Sequence, residues 1–150
     1  MGNIDISWDT IEQQVKNASS YLETQNIDLL VGIIRGGLIP ATMISHQTNI
    51  PMTTLDWQTR DGEFKDILTL DELRTQQFNI MFIDDICDTG ATVHEIREQY
   101  PGARFSVLFT KTVDMGLDFE GIRLYNSSEY KTKQPCHSNR SKFWCFLSPS

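Results

Sequence analysis

The 150-residue chain is long enough for one domain with a sizeable core, and no stretch approaches the ~20 apolar residues of a membrane-crossing helix. Its formal net charge of −7 argues against a nucleic-acid partner or an anionic membrane, since either selects a basic face. Cys87, Cys136 and Cys145 stand at no metal-like or disulfide-like spacing, and the acidic start MGNIDISWDT lacks the basic flank and apolar run of a secretory leader. A cytoplasmic protein with reduced thiols is expected.

In chain order, SWDTIEQQVKNASSYLE sets Trp8, Ile11, Val15, Ala18 and Leu22 at spacings of three and four, which predicts an amphipathic helix capped near Ser7. DLLVGII (28–34) is a continuous apolar run, as in a parallel strand buried on both faces. After RGG, LIPATMISHQ reads as a helix that tolerates Pro40 in its first turn. PMTTLDW predicts a second strand, and the polar stretch 58–75, with Gly62, a mobile loop or short hairpin. FNIMFIDD predicts the next buried strand, and TVHEIREQY a helix in which Thr92 and Glu95 have capping-box spacing, stopped by Pro101-Gly102. RFSVLFT (104–110) and GIRLY (121–125) complete the strands. Alternating strands and helices predict a single α/β domain over 1–150 with a mostly parallel twisted sheet flanked by helices. The tail 126–150 is atypical: Lys131, Lys133, Arg140 and Lys142 oppose only Glu129, in an otherwise acidic chain. It is expected to be a lid or a poorly ordered end.

The informative segment is IMFIDDICDTGATV (80–93). A core strand has no use for adjacent carboxylates, Asp84 and Asp85, at its end. Ligands of open parallel sheets bind beyond the carboxyl ends of the strands, which is where these acids fall. DTGAT then supplies backbone N–H groups, hydroxyls and a glycine at a helix N-terminus, a setting that suits a phosphate monoester. The carboxylates would repel that phosphate, so they are expected to meet a diol or a hard cation such as Mg²⁺. A ribose 5-phosphate has both ends. The sequence contains no Gly-Lys-Ser/Thr triplet for a P-loop, and Ile86 occupies the place where an aspartyl-phosphate phosphatase needs its second acid.

IMFIDDICDTGATV closely resembles the 5-phosphoribosyl 1-pyrophosphate (PRPP) signature of the type I phosphoribosyltransferases. VGIIRGGLIP (31–40) is similar to that family's pyrophosphate loop, and VLFTK (107–111) to the strand bearing its base-binding lysine. The likeness is to the bacterial xanthine-guanine and hypoxanthine branch and is strong through about residue 111. The resemblance implies that family's fold, with a small hood formed by the chain termini. It implies that Asp84 and Asp85 hold the ribose hydroxyls, with Asp85 touching Mg²⁺. Asp88 becomes the general base beside purine N7, and Thr89, Gly90, Ala91 and Thr92 wrap the 5′-phosphate. Arg35 and Gly36 bind pyrophosphate after a cis Ile34–Arg35 peptide, and Lys65 is the basic residue of a loop closing over it. Lys111 donates to O6 of the base, which disfavours adenine, because an amino group there offers an ammonium no acceptor.

An aromatic is expected to stack on the base. Tyr130 falls at the matching place, followed by Gln134-Pro135, but the ending CHSNRSKFWCFLSPS departs from the family and makes Trp144 the other candidate. The implied function is purine salvage: a Mg²⁺-dependent transferase, a homo-oligomer, taking PRPP and guanine, xanthine or hypoxanthine. A PRPP-binding regulatory protein without turnover, or a transferase for a different acceptor base, are the alternatives.

Overall fold

The computed structural model describes residues 6–57, 75, 77–112 and 115–124. Its elements run α1 (Trp8–Glu23), β1 (Leu29–Ile34), α2 (Leu38–Thr48), β2 (Met52–Asp56), β3 (Ile80–Cys87), α3 (Ala91–Gln99), β4 (Arg104–Thr110) and β5 (Phe119–Arg123). The strands form one sheet in the order β2-β1-β3-β4-β5, every pair parallel. The parallel α/β expectation is met, and β1 and β4 fall within a residue of their predicted ends.

The apolar runs of β1 and β3 are explained by helices on both faces. On one face Val15 and Leu22 of α1 and Ala41 and Ile44 of α2 pack with Leu30, Met81, Ile83 and Leu108. On the other, Val93 and Ile96 of α3 pack with Val31, Phe82, Phe105 and Val107. The Phe82 and Phe105 rings stack with centroids 5.2 Å apart, and Tyr100 meets Phe82 edge-on. The order of the strands decides where a ligand can enter. From β1 the chain steps outward to β2, then returns to place β3 on the other side of β1. The β1–α2 and β3–α3 turns therefore leave in opposite directions, opening a crevice at the carboxyl edge where parallel sheets bind ligands.

Four local expectations are corrected. The strand carrying the acidic pair does not stop at Asp85: Asp84, Ile86 and Cys87 still pair with Val107, Phe109 and Thr110. Backbone pairing is indifferent to side-chain charge, so β3 extends through the carboxylates. Helix α3 has no capping box. Its N-cap is Gly90, at φ 86° and without a side-chain cap, which puts Thr92 inside the first turn, while Glu95 accepts from Trp57 Nε1 at 3.1 Å. Trp8, predicted on the apolar face of α1, is 62% exposed, although Ser7 caps that helix as expected by accepting from Thr10 N. The last strand starts two residues earlier than predicted, at Phe119. The hood, the 126–150 tail and nearly all of the 58–75 loop lie outside the described residues. No helix among the described residues is long and apolar enough to cross a membrane.

Beneath α1, the Ser106 hydroxyl on β4 is buried and makes no hydrogen bond among the described residues. An unsatisfied buried hydroxyl costs ~1–3 kcal/mol. Ser106→Ala is expected to raise stability by about 1 kcal/mol, read as a higher denaturant midpoint at unchanged slope; a lower midpoint would show that the hydroxyl is satisfied in solution.

Candidate active site

The crevice is built from two turns and two strand ends. The first turn follows β1. Its Ile34–Arg35 peptide is cis, as expected, and Arg35 is exposed. Gly37 N donates to Ile33 O at 2.7 Å and folds the turn tightly back. The turn lies flat against β3: a Cβ on Gly36 would sit 2.3 Å from Asp85 Oδ1, and one on Gly37 would sit 2.1 Å from Ile83 O. Only glycine permits this approach, which brings the Arg35–Gly36 backbone against the acidic strand end.

The acids hold themselves in place with local hydrogen bonds. Asp85 N donates to Asp84 Oδ1 at 2.8 Å, and Ile86 N to Asp85 Oδ1 at 2.7 Å. Burial, with the hydrogen bond and charge of Asp85 adding to it, pushes the Asp84 carboxyl up from 3.8 to about 8. A cation or a pair of donating hydroxyls beside these groups would offset that penalty. No cluster of three or more His, Cys, Asp or Glu able to hold a metal occurs among the described residues. Two carboxylates nevertheless fit Mg²⁺, which is usually bound through one or two of them and completes its shell with water and substrate phosphates.

The second turn follows β3. A cavity of about 300 Å³ is lined by Cys87, Asp88, Thr89, Gly90, Ala91, Thr92 and Val93. Thr89 Oγ1 accepts from Ala91 N at 3.2 Å, and His94 N closes onto Gly90 O at 2.9 Å to start α3. A left-handed glycine at the N-cap, in place of a capping side chain, leaves the helix N-terminus open to an anion. Beside it, Lys111 N donates to Cys87 O at 2.8 Å, extending the β3–β4 ladder. This sets Lys111 Nζ 3.8 Å from Asp88 Oδ1. A donor and an acceptor side by side match a ligand edge that offers a carbonyl oxygen next to an N–H.

Of the predicted site residues, Arg35, Gly36, Asp84, Asp85, Asp88, Thr89, Gly90, Ala91, Thr92 and Lys111 all lie along this one edge of the sheet. Lys65, Tyr130 and Trp144 lie outside the described residues. The sequence reading missed a second cavity, of about 250 Å³, where Gly36 and Asp85 meet apolar walls that include Trp8, Ile39, Ile86 and Phe109. The exposed Trp8 and Ile39 side chains belong to it, and helical periodicity alone assigned Trp8 to the core.

No protein-family model matches the chain. It is 29% identical over 117 residues to a xanthine-guanine phosphoribosyltransferase of Cereibacter sphaeroides, covering 71% of this chain and 70% of that one. It is 29% identical over 113 residues to the protein of the same name from Nitratidesulfovibrio vulgaris, covering 71% and 68%. Among solved structures, a purine phosphoribosyltransferase from Pyrococcus horikoshii matches with a TM-score of 0.60 at 25% identity, over 79% of this chain and 85% of that one.

The position of Asp84 has a consequence for stability. Below about pH 4 its carboxyl is protonated whether the chain is folded or unfolded. Between about pH 4 and about pH 8 the unfolded chain has lost the proton while the folded chain keeps it, so stability falls as pH rises through that window and levels above it. Asp84→Asn removes this slope. Thermal unfolding of the ligand-free proteins is expected to show the variant gaining on the parent steadily across the window; parallel profiles would place Asp84 in an ordinary, solvated setting.

Proposed function

We propose that this chain, which has the type I phosphoribosyltransferase fold and the sequence likeness of its xanthine-guanine branch, transfers the 5-phosphoribosyl group of PRPP to a 6-oxopurine. The products are a purine nucleoside 5′-monophosphate and pyrophosphate. The observation that carries the proposal is the convergence of three chemically distinct parts on one crevice. They are the phosphate-type turn at Gly90, the carboxylate pair against Gly36, and the Asp88–Lys111 pair.

The reaction breaks the bond between C1 of the ribose and the pyrophosphate oxygen and joins C1 to N9 of the base. Thr89, Gly90, Ala91 and Thr92 hold the 5′-phosphate through backbone donors and hydroxyls at the start of α3. Asp84 and Asp85 accept from the ribose hydroxyls and fix C1 between its two partners, which is a contribution of position. Arg35 and the Gly36 backbone receive the pyrophosphate, and Lys65 adds charge to it. Asp85 would hold Mg²⁺, which when bound would supply charge neutralisation on the leaving group. Lys111 donates to O6 while Asp88 accepts from N7–H and takes its proton as N9 attacks, general-base work worth ~10²–10⁴-fold. Tyr130 or Trp144 stacks on the base. The protein works in the cytoplasm as a homo-oligomer.

The Asp88–Lys111 pair favours a transferase over a PRPP sensor. A sensor needs the phosphate and ribose contacts, but has no use for a donor and an acceptor matched to the edge of a 6-oxopurine. Nucleotide formation is expected from PRPP and Mg²⁺ with guanine, xanthine or hypoxanthine, and not with adenine. Asp88→Asn should lower kcat by roughly 10²-fold or more, and a chelator should abolish turnover until Mg²⁺ is returned. Binding of PRPP without turnover of any base would sink the assignment.

A further inference from the structure

The Gly90 turn has support from outside its own segment. Arg97, two turns along α3, is a bracket for the loop that joins Lys111 to β5. Its Nη1 donates to Met115 O, its Nη2 to Gly116 O at 2.8 Å, and its Nε to Ala103 O at 3.5 Å. The guanidinium also lies over the Phe105 ring, 5.3 Å from the centroid, so both its donors and its face are engaged by fixed partners. The Met115 side chain held this way reaches Gly90. A Cβ on that glycine would fall 2.5 Å from Met115 Cε and 2.8 Å from its Sδ. The thioether end thus occupies the space beside the Gly90 Cα that any other residue would fill with its own side chain.

We propose that Met115, fixed by Arg97, is a positioning residue that holds the Gly90 turn in its left-handed geometry and so presets the phosphate site. It also ties that site to the loop leaving Lys111. The inference rests on the phosphoribosyl reading only for the identity of the ligand. Gly90 is free of side-chain strain at φ 86°, but for the same reason it is free to leave that conformation. Its local tethers are the His94 N–Gly90 O hydrogen bond that begins α3 and the Ala91 N–Thr89 Oγ1 bond that closes across it, neither of which walls off its Cα. A methionine end packed on the Cα supplies the steric wall the glycine lacks, and a flexible thioether can seat closely without displacing the backbone. Arg97 suits such a wall because its planar fork gives a separate nitrogen to each of three carbonyls while its face lies on Phe105, a fixed geometry that a single flexible ammonium does not reproduce. Neither residue has a polar atom aimed into the 300 Å³ cavity, whose walls run from Cys87 to Val93, so neither is a catalytic residue.

The test compares full-length parent, Met115→Ala, Met115→Leu and Arg97→Lys in two readouts. The first is ligand recognition: the dissociation constant of ribose 5-phosphate by calorimetry, with KM for PRPP, KM for guanine and kcat. Met115→Ala is expected to weaken ribose 5-phosphate and raise KM for PRPP by roughly tenfold, with KM for guanine and saturated kcat within about threefold. Met115→Leu should restore both to within about twofold, and Arg97→Lys should fall between. The second readout is hydrogen exchange at the His94 amide, expected to be at least roughly tenfold faster in Met115→Ala while strand amides of β1 keep their protection. Unchanged PRPP recognition in Met115→Ala, equal damage in Met115→Leu, or protection lost evenly across the chain would each overturn the proposal. Should the parent neither bind ribose 5-phosphate nor turn over PRPP, the phosphoribosyl reading falls. The exchange at His94 then decides the positioning role alone: selective loss upholds it, and no change ends it.

Discussion

Two neighbouring carboxylates at the end of a buried strand form the constraint around which the crevice is arranged. Burial and the neighbouring Asp85 carboxyl work against ionising Asp84 and push its proton affinity up to about 8, while each of the two acids accepts a backbone N–H. Neutral residues at these positions would serve the fold as well, since β3 pairs with β4 straight through them. The acids therefore belong to what the strand end must meet. Hydroxyl donors and a hard cation both lower the cost of their charge, and a ribose whose leaving group carries Mg²⁺ brings the two together.

Topology puts the other groups within reach of that pair. Because β3 returns to the opposite side of β1 from β2, the turns after β1 and β3 splay apart, each starting a helix on a different face. Each turn then uses glycine for a different physical reason. At Gly36 the need is space, because Asp85 stands where a side chain would go. At Gly90 the need is a left-handed backbone, which lets the helix begin with its N–H groups exposed to a ligand. The parallel sheet sets the separation between the two turns through the register of β1 on β3.

Much of this was legible in the sequence, in proportion to how local the signal is. Apolar runs marked β1 and β3, and Ser7 marked the start of α1, since burial on two faces and capping are written in adjacent residues. The acidic strand end running into DTGAT marked where the crevice lies, at the carboxyl edge of the sheet. The errors arose where partners distant in sequence decide. Glu95 had the spacing of a capping residue, but the Trp57 indole claims it and a glycine takes the cap. Trp8 keeps helical register with the core, yet it lies in the first turn of α1 and is left on the rim of a cavity. The contact of Gly36 with Asp85 and that of Met115 with Gly90 have no local signature at all.

The net charge of −7 first reads as an obstacle to a polyanionic substrate, and the way the site meets it explains its composition. At physiological salt the field of distant exposed charges is screened within ~8 Å, so the overall acidity of the chain bears little on a phosphate already in the crevice. The groups that would act there are close: backbone N–H groups at the start of α3 and the hydroxyls of Thr89 and Thr92 around the cavity, with the exposed Arg35 as the cation for the leaving group. Backbone donors cost no side-chain entropy to orient and carry no net charge that must be desolvated when the site is empty. Holding phosphate with the main chain would leave side-chain charge free for the two tasks the proposed reaction sets, neutralising a leaving group and reading the edge of a base. An acidic protein can therefore bind a polyanion tightly at one place while gaining no general affinity for nucleic acid.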